Sequence, residues 1–150
     1  MIKQATNIED LSDAVEVVQQ FLLETSYSQG QRASRNIQHI GALVHGIFQQ
    51  GHIWLAYADD QPVGILAAVI EPNMWIPEIH QMREIVWFVR PEYRSTSLGG
   101  KMWLKYQEKA EMLLAQGTIT GYFTTKMTTT DPINLERRGF RLTEMTYLKE

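Results

Sequence analysis

The chain has 150 residues, 44% hydrophobic and 21% charged, with a net charge of −3, which predicts one domain spanning 1–150 with a sizeable core. This balance supplies no overall basic field for nucleic acid, and the lack of cysteine excludes disulfides, thiolate metal sites and a cysteine nucleophile. The longest apolar run, Val63 to Ile70, is far short of a bilayer span and the N-terminus has no secretory h-region, so a soluble, cytoplasmic protein without a membrane partner is expected.

Met1 to Ala5 reads as a short strand. Thr6-Asn7-Ile8-Glu9 has the pattern of a capping box, with Thr6 as the cap and Glu9 reaching back. Leu11, Ala14, Val15, Val18, Phe21 and Leu22 follow at helical spacing. Ser26 to Arg35 reads as a polar loop. Ile37, Ile40, Leu43, Val44 and Ile47 mark a second amphipathic helix that Gly51 ends. The period then changes: His52 to Ala58 and Val63 to Ile70 are strand-like runs joined by Asp59-Asp60-Gln61, a hairpin signal. Glu71 to His80 is a proline-broken connection, and Arg83 to Arg90 is the third run. A helix from about Leu98 to Ala115 places Met102, Tyr106, Ala110, Leu113 and Leu114 on one face and ends at Gly117. Thr118 to Thr125 is a further strand, parallel to Arg83–Arg90 because a helical crossover joins them. Asp131-Pro132 starts a short helix that closes at Gly139, and Phe140 to about Leu148 reads as the last strand.

The segment from Ile85 to Met102 carries the most chemistry. An apolar strand feeds a proline turn, then Arg94, then Ser95, Thr96, Ser97, Leu98, Gly99, Gly100 and Lys101 at the start of a long helix. A helix start leaves backbone N–H groups unpaired and carries a partial positive charge, which suits a phosphate or pyrophosphate. Arg94 and Lys101 add full charges.

The order Val-x-Pro-x-x-Arg, followed by small residues and Leu-Gly, resembles the GNAT superfamily of acyl-CoA-dependent N-acyltransferases. The family signature Arg/Gln-x-x-Gly-x-Gly/Ala falls on Arg94, Ser97 and Gly99, so a serine replaces the first glycine. Leu135-Glu136-Arg137-Arg138-Gly139-Phe140 resembles the family's ending, Tyr-Glu-Lys-x-Gly-Phe. The element order resembles the family's along the whole chain. The resemblance implies a mixed α/β (α+β) GNAT-like fold, a central mixed sheet flanked by helices. It also implies acetyl-CoA as co-substrate without a metal, and splayed parallel strands with the pantetheine arm between them.

Acyl transfer to an amine needs a group to remove the amine's proton and donors to hold the thioester carbonyl. The resemblance places the base on the strand before the phosphate loop, where Glu84 is the carboxylate; an ordinary strand glutamate, solvated or paired with Arg83 or with a neighbouring strand, is the competing reading. The carbonyl donor is expected to be a backbone N–H near Phe88 or Val89. Cofactor contacts are expected along Arg94 to Lys101. Three departures point to a divergent member, similar to GNAT-like proteins of bacteriophages: Ser97 for glycine, Thr128 where an asparagine is common, and Leu135 where a tyrosine protonates the leaving thiolate.

Two functions stay open on the sequence. One is an N-acetyltransferase acting on an amine acceptor, small molecule or protein; the other is a non-catalytic GNAT-fold structural or interaction protein, with or without bound CoA. His39, His45, His52 and His80 lack metal-ligand spacing. Trp87 and Trp103 read as packing residues. Trp75, in the proline-broken loop, suits either an acceptor site or a homodimer contact, and Glu24, Glu71 and Glu78 suit a cationic amine near the acceptor entrance.

Overall fold

The structure, a computed structural model, describes residues 1–25, 28–125, 134–147 and 149. In chain order they form β1 (Ile2–Gln4), α1 (Ile8–Glu24), α2 (Gly30–Ser34), α3 (Ile37–Gln50), β2 (Gly51–Ala58), β3 (Gln61–Pro72), β4 (His80–Val89), α4 (Leu98–Ala115) and β5 (Tyr122–Phe123). Single 3₁₀ turns lie at Pro91–Tyr93 and Glu136–Arg138. The sheet runs β1-β2-β3-β4-β5; the first four strands are antiparallel, and β5 joins β4 in parallel after the α4 crossover. This is the mixed α/β architecture the sequence predicts.

Period-2 alternation divides the strands between two cores. Ile53, Leu55, Ile65, Ala67, Val86 and Phe88 face Leu11, Ala14 and Val17 of α1 and Ile40 and Val44 of α3. Trp54, Ala56, Leu66, Ala68, Met82 and Val89 face Met102, Trp103, Tyr106, Ala110 and Leu113 of α4. A bulge in the β3–β4 ladder pairs Ala67 with Val86 and Ala68 with Glu84. Ile85 is left without a partner and exposed. The bulge keeps both Glu84 and Trp87 on the α4 side.

Several local expectations shift. The cap of α1 is Asn7, one residue beyond Thr6, and Asp10 rather than Glu9 reaches back. Asp10 is buried, and its carboxylate accepts the N–H groups of Thr6 and Asn7 and the Lys3 ammonium, a set of partners that exposed Glu9 lacks. The described part of the Ser26–Arg35 loop contains α2. Glycine is required at its first residue, because a Cβ on Gly30 would lie 2.4 Å from the Leu22 carbonyl oxygen. Gly51 ends α3 by opening β2 in an extended conformation, pressed so closely on β3 that a Cβ would meet the Ala68 oxygen at 1.9 Å. Asp59 and Asp60 both adopt positive φ (49° and 60°), so the hairpin turn is those two residues and Gln61 already belongs to β3. Leu114 is exposed rather than on the packed face of α4.

The C-terminal third departs furthest. Of Thr118–Thr125 only Tyr122–Phe123 is strand, with Thr120 and Gly121 adding single bonds to His80 and Met82. Asp131 and Pro132 lie outside the described residues; the turn that follows ends at Gly139 with φ 85°, as its glycine predicts. Residues 140–147 form no strand, and Leu142, Met145 and Tyr147 are exposed. A strand gains stability only by pairing, and although Phe140 packs on Trp103 and Tyr122, no strand of the described residues pairs with this segment.

Candidate active site

The register of β4 and β5 decides where the sheet opens. Met82 pairs with Tyr122 and Arg83 with Phe123, and the ladder stops there. Beyond that pair β4 continues to Val89 beside β3, while residues 124–125 leave it. Arg90 N–H bonds to Val63 on β3. Strand alternation therefore turns the backbone of Phe88 towards β3, and that of Trp87 and Val89 towards the open edge. Of the two expected backbone donors, Val89 faces the opening; the Phe88 N–H faces β3, and its ring packs on the α1 side against Phe21.

Glu84 sits at this parting point. It is only 6% exposed, unlike a solvated strand glutamate, and Arg83 pairs with Glu71 instead, Nε to Oε1 at 2.7 Å. Its Oε2 accepts the Thr125 backbone N–H at 2.7 Å, and among the described residues Oε1 has no donor. Burial pushes the Glu84 carboxyl up to about 7, with the Thr125 N–H opposing. A carboxylate that exchanges its proton near neutrality is suited to general-base work.

At the end of β4 the chain turns through Pro91–Tyr93 into α4. Leu98 N–H bonds to Thr96 Oγ1, while the Gly99 and Gly100 N–H groups have no acceptor among the described residues. Nothing lies within 4 Å of where a Gly100 side chain would begin. A groove of about 440 Å³ opens in front of this helix start, lined by Trp87, Thr96, Ser97, Gly100, Lys101, Trp103, Leu104 and Arg138. Free amides, a helix N-terminus and two cations make it a fitting cradle for a diphosphate.

The structure thus brings Thr96, Ser97, Gly100 and Lys101 together along one groove, with Gly99 at its back beside Trp87. Leu98 packs towards the α4 core. Ser95 is exposed outside the lining. Arg94 turns away: Nε donates to the Val89 carbonyl at 2.9 Å, a terminal nitrogen bonds Glu24, and the guanidinium lies over the Phe88 ring. Two of the acidic residues suggested for an acceptor entrance are thereby engaged, Glu24 by Arg94 and Glu71 by Arg83. Trp75 is 84% exposed in a loop held by Asn73, whose side chain accepts the Trp75 and Ile76 N–H groups.

Sequence reasoning misses Trp87 and Arg138 as groove residues. Trp103 is buried in the α4 core and Trp87 half-buried beside it, their rings 6.5 Å apart, and both line the groove. Arg138 stacks over the Trp103 ring at 4.8 Å. The sequence places Arg138 in a matched motif but carries no sign that the motif folds back onto α4. Leu135 packs against the α4 core, and Thr128 lies outside the described residues. Among the described residues no group of His, Asp or Glu is placed to hold a metal ion, and no helix is long and apolar enough to cross a membrane.

A family model described as the acetyltransferase (GNAT) family matches residues 16–140. No curated protein matches the chain significantly in sequence. Among solved structures, a possible acetyltransferase of Clostridium difficile superposes with a TM-score of 0.69 at 13% identity, over 100% of this chain and 95% of that one. A predicted acetyltransferase of Clostridium acetobutylicum, solved with acetyl-CoA, gives 0.62 at 14% identity over 99% and 96%. An aminoglycoside acetyltransferase from an uncultured soil metagenome, solved with sisomicin, gives 0.62 at 11% over 100% and 96%. Likeness at these identities is likeness of fold.

Proposed function

The chain belongs to the acetyltransferase (GNAT) family, and on that premise we propose that it is a single-domain, cytoplasmic N-acetyltransferase that moves an acetyl group from acetyl-CoA to an amine, with Glu84 as general base. The observation that carries the proposal is the buried Glu84 carboxyl at the parting of β4 and β5, one oxygen held by Thr125 and the other without a donor among the described residues.

Acetyl-CoA, when bound, supplies the acyl group as a thioester. The first turn of α4, Lys101 and Arg138 hold its diphosphate. Glu84 Oε1 takes the proton of the acceptor's ammonium, directly or through one water, so the nitrogen lone pair is free to form the new C–N bond. The Val89 N–H, facing the open edge, stabilises the carbonyl oxygen as it gains charge. The nitrogen gives its second proton to water as collapse breaks the C–S bond, and because Leu135 has no proton to give, the departing thiolate takes one from water in turn. The acceptor is a primary amine, small molecule or protein; the aminoglycoside bound by one structural neighbour is the natural first probe.

Acetyl-CoA titrated against the melting temperature tests the cofactor, and transfer to sisomicin and a panel of primary amines tests the reaction. At a hundredfold excess over Kd, binding to the folded state alone is worth about 2.7 kcal/mol, roughly 5–10 °C for a domain of this size. No shift at millimolar acetyl-CoA refutes the proposal. A shift without transfer to any amine favours the non-catalytic reading.

A further inference from the structure

Tyr106 is fully buried in α4, and its ring packs edge-on against Trp54 and Tyr122, with centroids 6.3 and 5.9 Å away. Phenylalanine would pack as well. What the hydroxyl adds is a hydrogen bond donated to the backbone carbonyl of Phe123 and one accepted from the Glu84 backbone N–H. Phe123 is the last residue of β5 and, with Arg83, makes the last register pair before the strands part. Two residues later comes Thr125, whose N–H holds Glu84 Oε2 at 2.7 Å. Other contacts on this stretch are weaker: Trp103 Nε1 reaches Thr124 Oγ1 at 3.4 Å, and Arg83 lies over the Phe123 ring at 4.7 Å without directing it.

We propose that Tyr106 is a positioning residue for the transfer reaction: its hydroxyl pins β5 at the last rung, keeping the Thr125 N–H on Oε2 of Glu84 and Oε1 free for the acceptor's proton. The catalytic consequence rests on Glu84 acting as base. The physical link is that an N–H donated to a carboxylate favours its charged form, so loosening the donor raises the carboxyl's proton affinity. The titratable and charged groups that face the Tyr106 hydroxyl are Glu84 and Arg83 of β4, the latter paired with Glu71, and Tyr122 of β5, paired with Glu111; Glu84 itself has the Thr125 N–H as its donor.

Tyr106→Phe keeps the ring and removes both bonds. In ligand-free protein, carbon-13 NMR of the Glu84 carboxyl is expected to show its titration moving up by about one pH unit, the size of one lost charge-assisted hydrogen bond. The acidic limb of the pH profile for acetyl transfer moves with it, and acetyl-CoA affinity does not change. Thr125→Pro, which deletes the N–H and leaves Tyr106 intact, gives the same displacement. A Tyr106→Phe protein that melts lower while Glu84 titrates as in the wild type overturns the proposal, since Tyr106 then serves packing alone. A displacement in Tyr106→Phe that Thr125→Pro does not reproduce overturns the route through Thr125. If Glu84→Gln leaves transfer unimpaired, the base assignment falls, and the NMR titration still decides the role of Tyr106.

Discussion

Glu84 Oε2 and the backbone N–H of Thr125 meet at 2.7 Å across two strands that have already stopped pairing, a contact between residues 41 positions apart. The bond holds one carboxylate oxygen, and the other has no donor among the described residues. Glu84→Gln keeps an acceptor for Thr125 but cannot take a proton. Acetyl transfer at neutral pH is expected to fall by ~10²–10⁴-fold, with acetyl-CoA affinity unchanged. The loss shrinks at high pH, where the amine is deprotonated in solution. A loss of only a few-fold at neutral pH, read from initial rates, removes Glu84 as base.

The same carboxyl should leave a mark on stability. Folding raises Glu84 from its ordinary 4.5 to about 7, so between those values the folded state binds more protons than the unfolded one. Stability contributed by this group is therefore present at low pH and lost as pH rises through that window, by roughly 3 kcal/mol. Glu84→Gln does not titrate. Its melting temperature should rise relative to the wild type between pH 4.5 and 7.5, and parallel melting curves over that range would contradict the buried, proton-holding carboxyl.

Gly99 tests the helix-start cradle. A side chain there meets only Val89 Cγ2 at 3.5 Å and Trp87 Nε1 at 3.8 Å, ordinary contacts, so Gly99→Val is expected to fold with a small change in melting temperature. Its branched side chain nevertheless crowds Trp87, which lines the groove in front of the helix start. Calorimetry should show acetyl-CoA binding abolished. Unaltered affinity in the folded variant means the diphosphate lies elsewhere.

Asp10 anchors the opposite end of the molecule. Burial by itself raises its carboxyl, but the Lys3 ammonium and the Thr6 and Asn7 N–H groups more than offset that and hold it below the usual range. A depressed carboxyl contributes stability above its ordinary value that is lost as pH falls through the folded one. Asp10→Ala removes half the capping box and the Lys3 partner and should cost about 2 kcal/mol at pH 7. The deficit should narrow in acid as the wild type loses the same bonds; a deficit constant down to pH 2 would show that the charge contributes nothing.

Sequence determines much of this protein because its rules are local. Leu11, Ala14 and Phe21 recur at helical spacing, and α1 forms where they do; Asp59-Asp60 tolerates positive φ, and the hairpin turns there. The change of period at Gly51 and the small residues from Ser95 to Gly100 are visible without any partner. Tertiary structure decides whatever depends on a distant neighbour. Asp10 displaces Glu9 in the capping box because Lys3 reaches it, and α2 fits because Gly30 passes under the Leu22 carbonyl. Residues 140–147 read as a strand yet form none, and only Phe140 is covered, because apolar residues supply a face and not a partner strand. The site divides the same way. The helix start that can hold phosphate follows from composition. The burial of Glu84, the turning of Arg94 onto Glu24, and the arrival of Arg138 over Trp103 follow from where the strands part and the chain folds back. Proton affinity is set by desolvation and by donors brought from 41 residues away, and no local spacing encodes either.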